Sequence, residues 1–237
     1  MNFHCLNCHS EIDYHITWNS FFFTPKELWL CGKCSSQLHP IAGERCQICS
    51  RQLSLLEPQY IKEGICLDCI RWEQDPIHTS VLTQNISIYN YNDFLKEYLA
   101  RFKYRGDYVL VKAFTQAVQQ EIHNLEADLI TTIPLSSERL QERGFNQAEA
   151  LAKESGLTTQ QLLVRRHSEK QSKKSRQQRI ASEEVFQLPP DLTPDITHKS
   201  ILIIDDIYTT GTTLRQAAKL LKQAGAGKIS SLTIARG

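Results

Sequence analysis

Eight cysteines stand in four C-x-x-C pairs, Cys5/Cys8, Cys31/Cys34, Cys46/Cys49 and Cys66/Cys69, and none follows in the rest of the 237 residues. No other feature limits the possible folds as tightly. A C-x-x-C turn sets two thiolates along one edge of a tetrahedron, and a second such turn completes an all-sulfur, four-coordinate Zn²⁺ site. The 16 residues between Cys49 and Cys66 match the spacing of known zinc sites. The 22 between Cys8 and Cys31 are slightly long for a zinc ribbon but compatible with one. Energetics agree: a core below roughly 70–80 residues rarely supplies more than ~3–5 kcal/mol. A structural zinc contributes on the order of 10–16 kcal/mol in apparent binding energy. Disulfides are the bland alternative, but cytosolic thiols stay reduced. A redox C-x-x-C normally stands alone beside a βαβ pattern, not in a set of four. The expectation is therefore two structural zincs, each held by four cysteines. Sequential pairing is the first choice, and a crossed arrangement stays open. His4, His9 and His39 flank the cysteines and are expected at the surface, because eight thiols already fill two sites.

A cysteine-rich front and a cysteine-free remainder describe two domains with different means of support, a zinc ribbon over 1–75 and a second domain over 80–237. In the front, Trp18, Phe21, Phe22, Phe23 and Trp29 suit a small core between the first two cysteine turns. Aromatics can also stack on unpaired bases. Apolar residues make up 41% and charged residues 22%, which excludes wholesale disorder. No apolar run approaches the ~18 residues of a membrane span, so no membrane insertion is expected. The first residues have neither the basic region nor the apolar core of a signal peptide, and a cytoplasmic location is the default. With 27 Lys+Arg against 26 Asp+Glu, net charge gives no global reason to bind nucleic acid. The average hides one patch: Arg165, Arg166, Lys170, Lys173, Lys174, Arg176 and Arg179 cluster around a single acid, Glu169.

From about Ile86 the pattern changes to strands alternating with helices, which argues a parallel α/β sheet. Ser87–Tyr91 reads as a strand. Asn92 can cap a helix whose Phe94, Leu95, Tyr98, Leu99 and Phe102 recur at helical spacing. A helix over Val109–Leu125, a strand over Asp128–Ile133, a helix over Asn146–Lys153 and a strand over Leu162–Val164 follow. After a polar connector, Ser200–Ile204 is apolar on both faces, hence a central parallel strand. Helix Thr212–Ala224 and strand Ile229–Ile234 complete a βαβ unit.

The sharpest functional signal joins that central strand to its helix: Ile201-Leu202-Ile203-Ile204-Asp205-Asp206-Ile207-Tyr208-Thr209-Thr210-Gly211-Thr212-Thr213. Ligands of open α/β sheets bind at the carboxyl ends of strands. Gly211 permits tight backbone geometry, and loop amides together with a helix N-terminus make an anion site. Charge-assisted hydrogen bonds of roughly 1.5–3 kcal/mol each can hold a phosphate there without a lysine. Carboxylates would repel that phosphate, so Asp205 and Asp206 need another task, such as binding sugar hydroxyls or Mg²⁺ with its waters. An ordinary capped turn is the plain alternative, but paired acids at a buried strand end are costly without a partner. Upstream, Arg139 and Arg143 lie four apart and can share one face of a turn or helix. A paired guanidinium site suits pyrophosphate, and a solvated helix start with Glu138 and Glu142 as partners is the alternative. Gly225-Ala226-Gly227-Lys228 follows a helix instead of opening one, so it reads as a C-cap and turn.

The strand–loop run resembles the 13-residue fingerprint of type I phosphoribosyltransferases, which bind phosphoribosyl pyrophosphate (PRPP). That resemblance implies that Asp205 and Asp206 face the ribose hydroxyls and that Thr209, Thr210, Gly211, Thr212 and Thr213 cradle the 5-phosphate. It also implies that Lys170, Lys173, Lys174, Arg176 and Arg179 belong to a flexible loop that closes over the reaction centre; a solvated linker is the alternative. The ordered set of four C-x-x-C pairs, Phe102-Lys103-Tyr104-Arg105-Gly106-Asp107, Ile133-Pro134-Leu135, Glu142-Arg143-Gly144-Phe145-Asn146-Gln147, Lys170–Lys174 and the acidic phosphate loop is similar to the ComF family of bacterial competence proteins. This likeness implies a zinc ribbon fused to a phosphoribosyltransferase fold, and a role in natural transformation alongside single-stranded DNA and a helicase. Within it, Lys103 and Arg105 are candidates to reach the ligand, while Phe102 and Tyr104 are equally consistent with helix-end packing. No pocket for an acceptor is legible. Two functions follow: a PRPP-binding module of DNA uptake, or an active phosphoribosyltransferase (a glycosyltransferase) acting with Mg²⁺ on an unidentified acceptor.

Overall fold

The computed structural model describes residues 4–12, 28–123, 125–166 and 185–237. The front of the chain is built from short elements: α1 (Gly32–Ser35), β1 (Ile61–Lys62), β2 (Ile65–Cys66) and α2 (Leu67–Gln74). β1 and β2 pair antiparallel, so Cys66 sits at the exit of a tight hairpin and α2 carries Cys69.

The remainder holds β3 (Gln84–Asn90), α3 (Asp93–Tyr104), α4 (Lys112–Ile122), β4 (Leu129–Thr132), α5 (Ser137–Arg143) and α6 (Gln147–Glu154). These are followed by β5 (Val164–Arg165), β6 (Phe186–Gln187), β7 (Ile201–Tyr208), α7 (Thr212–Gln223) and β8 (Ile229–Arg236). Strands β3, β8, β7 and β4 form one sheet in that order, and every neighbouring pair is parallel. A parallel sheet needs both faces covered. Leu202, Ile204, Leu232 and Ile234 meet α3, α4 and α6 on one face, while Ile201, Ile203 and Ile229 meet α7 on the other. The period of two along β7 thus feeds two cores from one apolar run.

The cysteine-bearing front contributes to both cores. Cys5, Leu30, Cys34 and Leu38 pack with the α3–α4 side, and Cys46, Cys49, Leu53, Cys66 and Cys69 with the α7 side. The second cysteine knuckle is stitched to β3: the Asn85 amide donates to the Ile48 carbonyl at 2.6 Å, and the Ser50 hydroxyl donates to the Asn85 carbonyl at 2.7 Å.

Most expected elements are present, with three differences. The helix over Val109–Leu125 starts as a 3₁₀ turn, Tyr108–Val111, and becomes α-helical only from Lys112. The expected strand at Leu162–Val164 lies outside the parallel sheet. Leu162 and Leu163 are buried, but only Val164 and Arg165 pair, antiparallel to β6. A short apolar run cannot by itself tell a sheet strand from a buried connector. The central strand also runs four residues beyond Ile204, so the two acids lie within it.

Candidate anion site and cysteine centres

β4 pairs with β7 only as far as Ile204, whereas β8 accompanies β7 to its last residue, Tyr208. Residues 205–208 therefore project past β4 along one edge. A crevice of this kind beyond the carboxyl ends of parallel strands is where α/β sheets hold ligands. The chain then turns through Thr209, Thr210 and Gly211 into α7. Gly211 takes φ +84°, and a Cβ there would run into the Tyr208 hydroxyl and ring, so no other residue fits. As the N-cap, it offers no side chain to the first-turn amides of α7. The Thr212 amide meets only the Thr210 hydroxyl, at a long 3.4 Å, and such a helix start is suited to an anion. The hydroxyls of Thr210 and Thr212 lie 2.9 Å apart at the mouth of the turn.

The two carboxylates have different surroundings. Asp206, in phase with Leu202 and Ile204, accepts an ion pair from Lys103 Nζ at 2.6 Å, from the last turn of α3. Asp205, in phase with Ile201 and Ile203, accepts the Asp206 amide at 2.8 Å. Burial, and next the Asp206 charge, push the Asp205 carboxyl up to about 7, opposed by that amide, Lys103 and Arg143.

Arg139 and Arg143 both lie on α5, as the spacing implied. The motif after them explains how Arg143 is held. Gly144 ends α5 in the left-handed conformation, and Phe145 packs on Phe102 and Tyr108 with centroids 5.3 and 5.0 Å apart. Asn146 caps α6 while donating to the Ile133 carbonyl at 3.0 Å, and Gln147 Oε1 accepts Arg143 Nη1 at 2.8 Å. The Arg143 guanidinium also lies over the Tyr104 ring at 5.3 Å. Arg165, stacked on Phe186, has its pKa lowered by burial and then by the charge of Arg139, with Asp205 opposing and Arg143 adding to the fall. Arg143 and Arg165 thus share the electrostatic neighbourhood of Asp205, and Arg139 that of Arg165. Phe102 is fully buried, as helix-end packing requires, but Tyr104 is 61% exposed. The basic residues Lys170, Lys173, Lys174, Arg176 and Arg179, and the aromatics Trp18, Phe21, Phe22 and Phe23, lie outside the described residues.

The eight thiols gather in sequential order, Cys5, Cys8, Cys31 and Cys34 in one cluster and Cys46, Cys49, Cys66 and Cys69 in another. Within each, the sulfurs lie within 4.8 Å of one another. The Cys8–Cys31 and Cys49–Cys66 sulfurs are 3.7 and 3.6 Å apart. A tetrahedron of Zn–S bonds near 2.3 Å requires sulfurs about 3.8 Å apart, and a disulfide about 2.05 Å. The donor set fits Zn²⁺. N–H donors that orient thiolates are also present: Asn7 Nδ2 to Cys34, the Cys66 amide to Cys46 and Arg236 Nε to Cys49, each at 3.4 Å. The second cluster is wholly buried, while Cys8 of the first is exposed and held at about 6 by the hydroxyl and amide of Ser10. His4, His9 and His39 are exposed and outside both clusters.

Sequence reasoning missed three contributors. Trp72 Nε1 donates to the Thr210 carbonyl at 2.8 Å, and Arg236 Nη1 donates to the Thr209 carbonyl at 2.8 Å. Buried Arg215, in the first turns of α7, donates to Glu73 Oε1 at 2.9 Å. The one available hint was Arg236 itself, a charged residue closing an otherwise apolar and hydroxyl-bearing strand. No helix among the described residues is long and apolar enough to cross a membrane.

A family model described as a phosphoribosyl transferase domain matches residues 140–237. Competence protein ComFC of Bacillus subtilis (strain 168) is 37% identical over 98% of this chain and 94% of its own. Competence protein ComFC of Streptococcus pneumoniae (strain ATCC BAA-255 / R6) is 32% identical over 98% of this chain and 99% of its own. Competence protein F of Haemophilus influenzae (strain ATCC 51907 / DSM 11121 / KW20 / Rd) is 26% identical, covering 99% of this chain and 97% of that protein.

Proposed function

The chain belongs to the family of the competence protein ComFC, and from that membership we propose that it binds PRPP, or a related sugar phosphate, with Mg²⁺ as part of DNA uptake. One observation carries the reading: a glycine-dependent turn at a helix N-terminus follows two carboxylates on a strand that outruns its neighbour. In this reading Thr209–Thr213 hold the 5-phosphate by main-chain amides. Asp205 and Asp206 accept hydrogen bonds from the ribose hydroxyls, and the ion pair with Lys103 keeps Asp206 oriented. Arg139, Arg143 and Arg165 supply the charge that a pyrophosphate needs, and Mg²⁺, when bound, neutralises the rest.

The residues 1–75 act as the zinc-bearing part and 80–237 as the ligand-bearing part, in a cytoplasmic protein working with single-stranded DNA and the competence helicase. The basic segment Lys170–Arg179 supplies the contact with nucleic acid or closes over the ligand. In thermal melts, Mg²⁺ plus PRPP raises the melting temperature of the full chain and Asp206→Ala abolishes the rise. An unchanged rise in the variant would remove the site assignment. The cationic flank around Asp205 also favours a second reading, an active phosphoribosyltransferase in which those groups stabilise departing pyrophosphate. Exchange of labelled pyrophosphate into PRPP, lost in Asp205→Ala, is its signature.

A further inference from the structure

We infer that the second cysteine centre is a built-in part of the phosphate loop, and that Trp72 and Arg236 are positioning residues for that loop. The geometry makes the connection at three points. The loop has two carbonyls, of Thr209 and Thr210, that lie beyond the last strand pair and outside α7. Both are claimed by side chains that reach from, or to, the second cluster. Arg236 holds the Cys49 sulfur with Nε at 3.4 Å and the carbonyls of Thr209 and Tyr208 with Nη1 at 2.8 and 3.3 Å. Trp72, three residues after Cys69 on α2, holds the Thr210 carbonyl. Arg215 then anchors the first turns of α7 to the same helix through Glu73, with its guanidinium over the Trp72 ring at 5.2 Å.

These ties matter because an anion site made of main-chain amides works only when the amides are already aimed. A loop pinned by its carbonyls presents the opposite faces of the same peptide planes to the ligand. The chemistry at Cys49 reinforces the arrangement. A thiolate that carries metal and accepts the Arg236 N–H fixes the guanidinium plane, and the plane fixes the carbonyls of Tyr208 and Thr209. Strand phase makes this reach possible. The alternation of β7 and β8 slips at their ends, so Ile207 and Ala235 pack toward α3 and α4 while Tyr208 packs on the α7 side with the second cluster. The first cluster has no such tie in the described residues. Its contact with the neighbouring helices runs through Arg101, which donates to Asn7 and Leu6.

The affinity arm of the test rests on the proposed PRPP reading; the exchange arm does not. Trp72→Phe keeps an aromatic ring against Arg215 and removes the N–H donor together with the pyrrole half of the indole; Arg236→Lys keeps the charge and removes the fork. In the full-length, zinc-loaded protein, both are expected to retain two zincs per chain. Trp72→Phe is also expected to keep the wild-type melting temperature. Amide hydrogen exchange in the ligand-free protein should become several-fold faster in a peptide covering residues 209–214 and stay unchanged in the α3 and α6 peptides. Titration calorimetry with Mg²⁺ and PRPP should show affinity lowered roughly 2- to 10-fold, the range for one lost hydrogen bond. Wild-type exchange at 209–214 in Trp72→Phe overturns the inference, as does an acceleration spread over all peptides. If Arg236→Lys fails to fold, Trp72→Phe decides alone. Should the wild-type protein bind no PRPP, the proposed function falls while the exchange result still decides this inference.

Discussion

At Asp205 the electrostatics set a direction that can be measured without any ligand. Its carboxyl is raised from 3.8 to about 7, first by burial and then by Asp206. Between roughly pH 4 and 7 the folded chain keeps a proton that the unfolded chain has lost, so this group makes stability fall as pH rises, and the loss is complete above about 7. Asp205→Asn removes the penalty. The variant should melt close to wild type at pH 4.5 and a few degrees higher at pH 8; an equal gain at both pH values would show that charge is not the cause. Gly211 makes the complementary case in sterics. Gly211→Ala forces a Cβ into the Tyr208 hydroxyl and an L-residue into φ +84°, so the loop must reopen. Binding of Mg²⁺–PRPP should be lost, with tryptophan fluorescence reporting displaced Trp72, and retention of affinity would argue that the ligand sits elsewhere. The sequence shows both residues plainly, because acids at the end of an apolar strand and a glycine before a helix are local facts. It does not show Trp72, whose partner Thr210 is 138 residues away.

Elements carry what single residues cannot. Asn92 caps α3 as read, while Asn146, read as the first residue of its helix, is instead the cap of α6. The short apolar run at Leu162–Val164 misleads because it packs in the core under one face of the parallel sheet while its only strand pairing is with β6. The sequence marks Lys103 as a candidate to reach the ligand but not its partner; the pairing with Asp206 depends on α3 crossing the same sheet face that Asp206 points to. One element-level feature has no sequence signature at all. Asn85 Nδ2 donates to Ser87 Oγ at 2.7 Å, while Asn85 Oδ1 accepts Ser231 at 2.9 Å, and Ser87 and Thr233 share a bond of 2.7 Å, all buried between β3 and β8 beneath the second cysteine knuckle. Removing one member of a buried network leaves its partners unsatisfied, at about 1–3 kcal/mol. Asn85→Ala should lower the urea midpoint by that free energy divided by the m-value, itself unchanged, whereas a change under about 0.5 kcal/mol would mean that water replaces the amide.

For the molecule as a whole, the division of cysteines from strands does not divide the packing. Each cysteine cluster belongs to the core on one face of a single sheet, the first with α3 and α4, the second with α7. Structures that share cores unfold together. Calorimetry of the zinc-loaded chain should therefore show one endotherm. Stripping metal with a high-affinity chelator should lower that endotherm, where a free-standing ribbon would instead lose a separate transition of its own. The two metals should also leave at different rates. The first centre, with Cys8 exposed, opens without disturbing the sheet, but the second is sealed by β3, by Arg236 and by α2 lying over the phosphate loop. A chromophoric chelator should register one fast zinc and one slow, with the slow phase tracking loss of near-ultraviolet ellipticity. Linkage requires the converse in affinity: a ligand bound at the phosphate loop tightens the second zinc, because whatever the second centre contributes to the loop, the loop returns to it, and only the second phase is expected to slow. Equal slowing of both phases would place the effect in global stability instead of in the contacts among Cys49, Arg236 and Thr209.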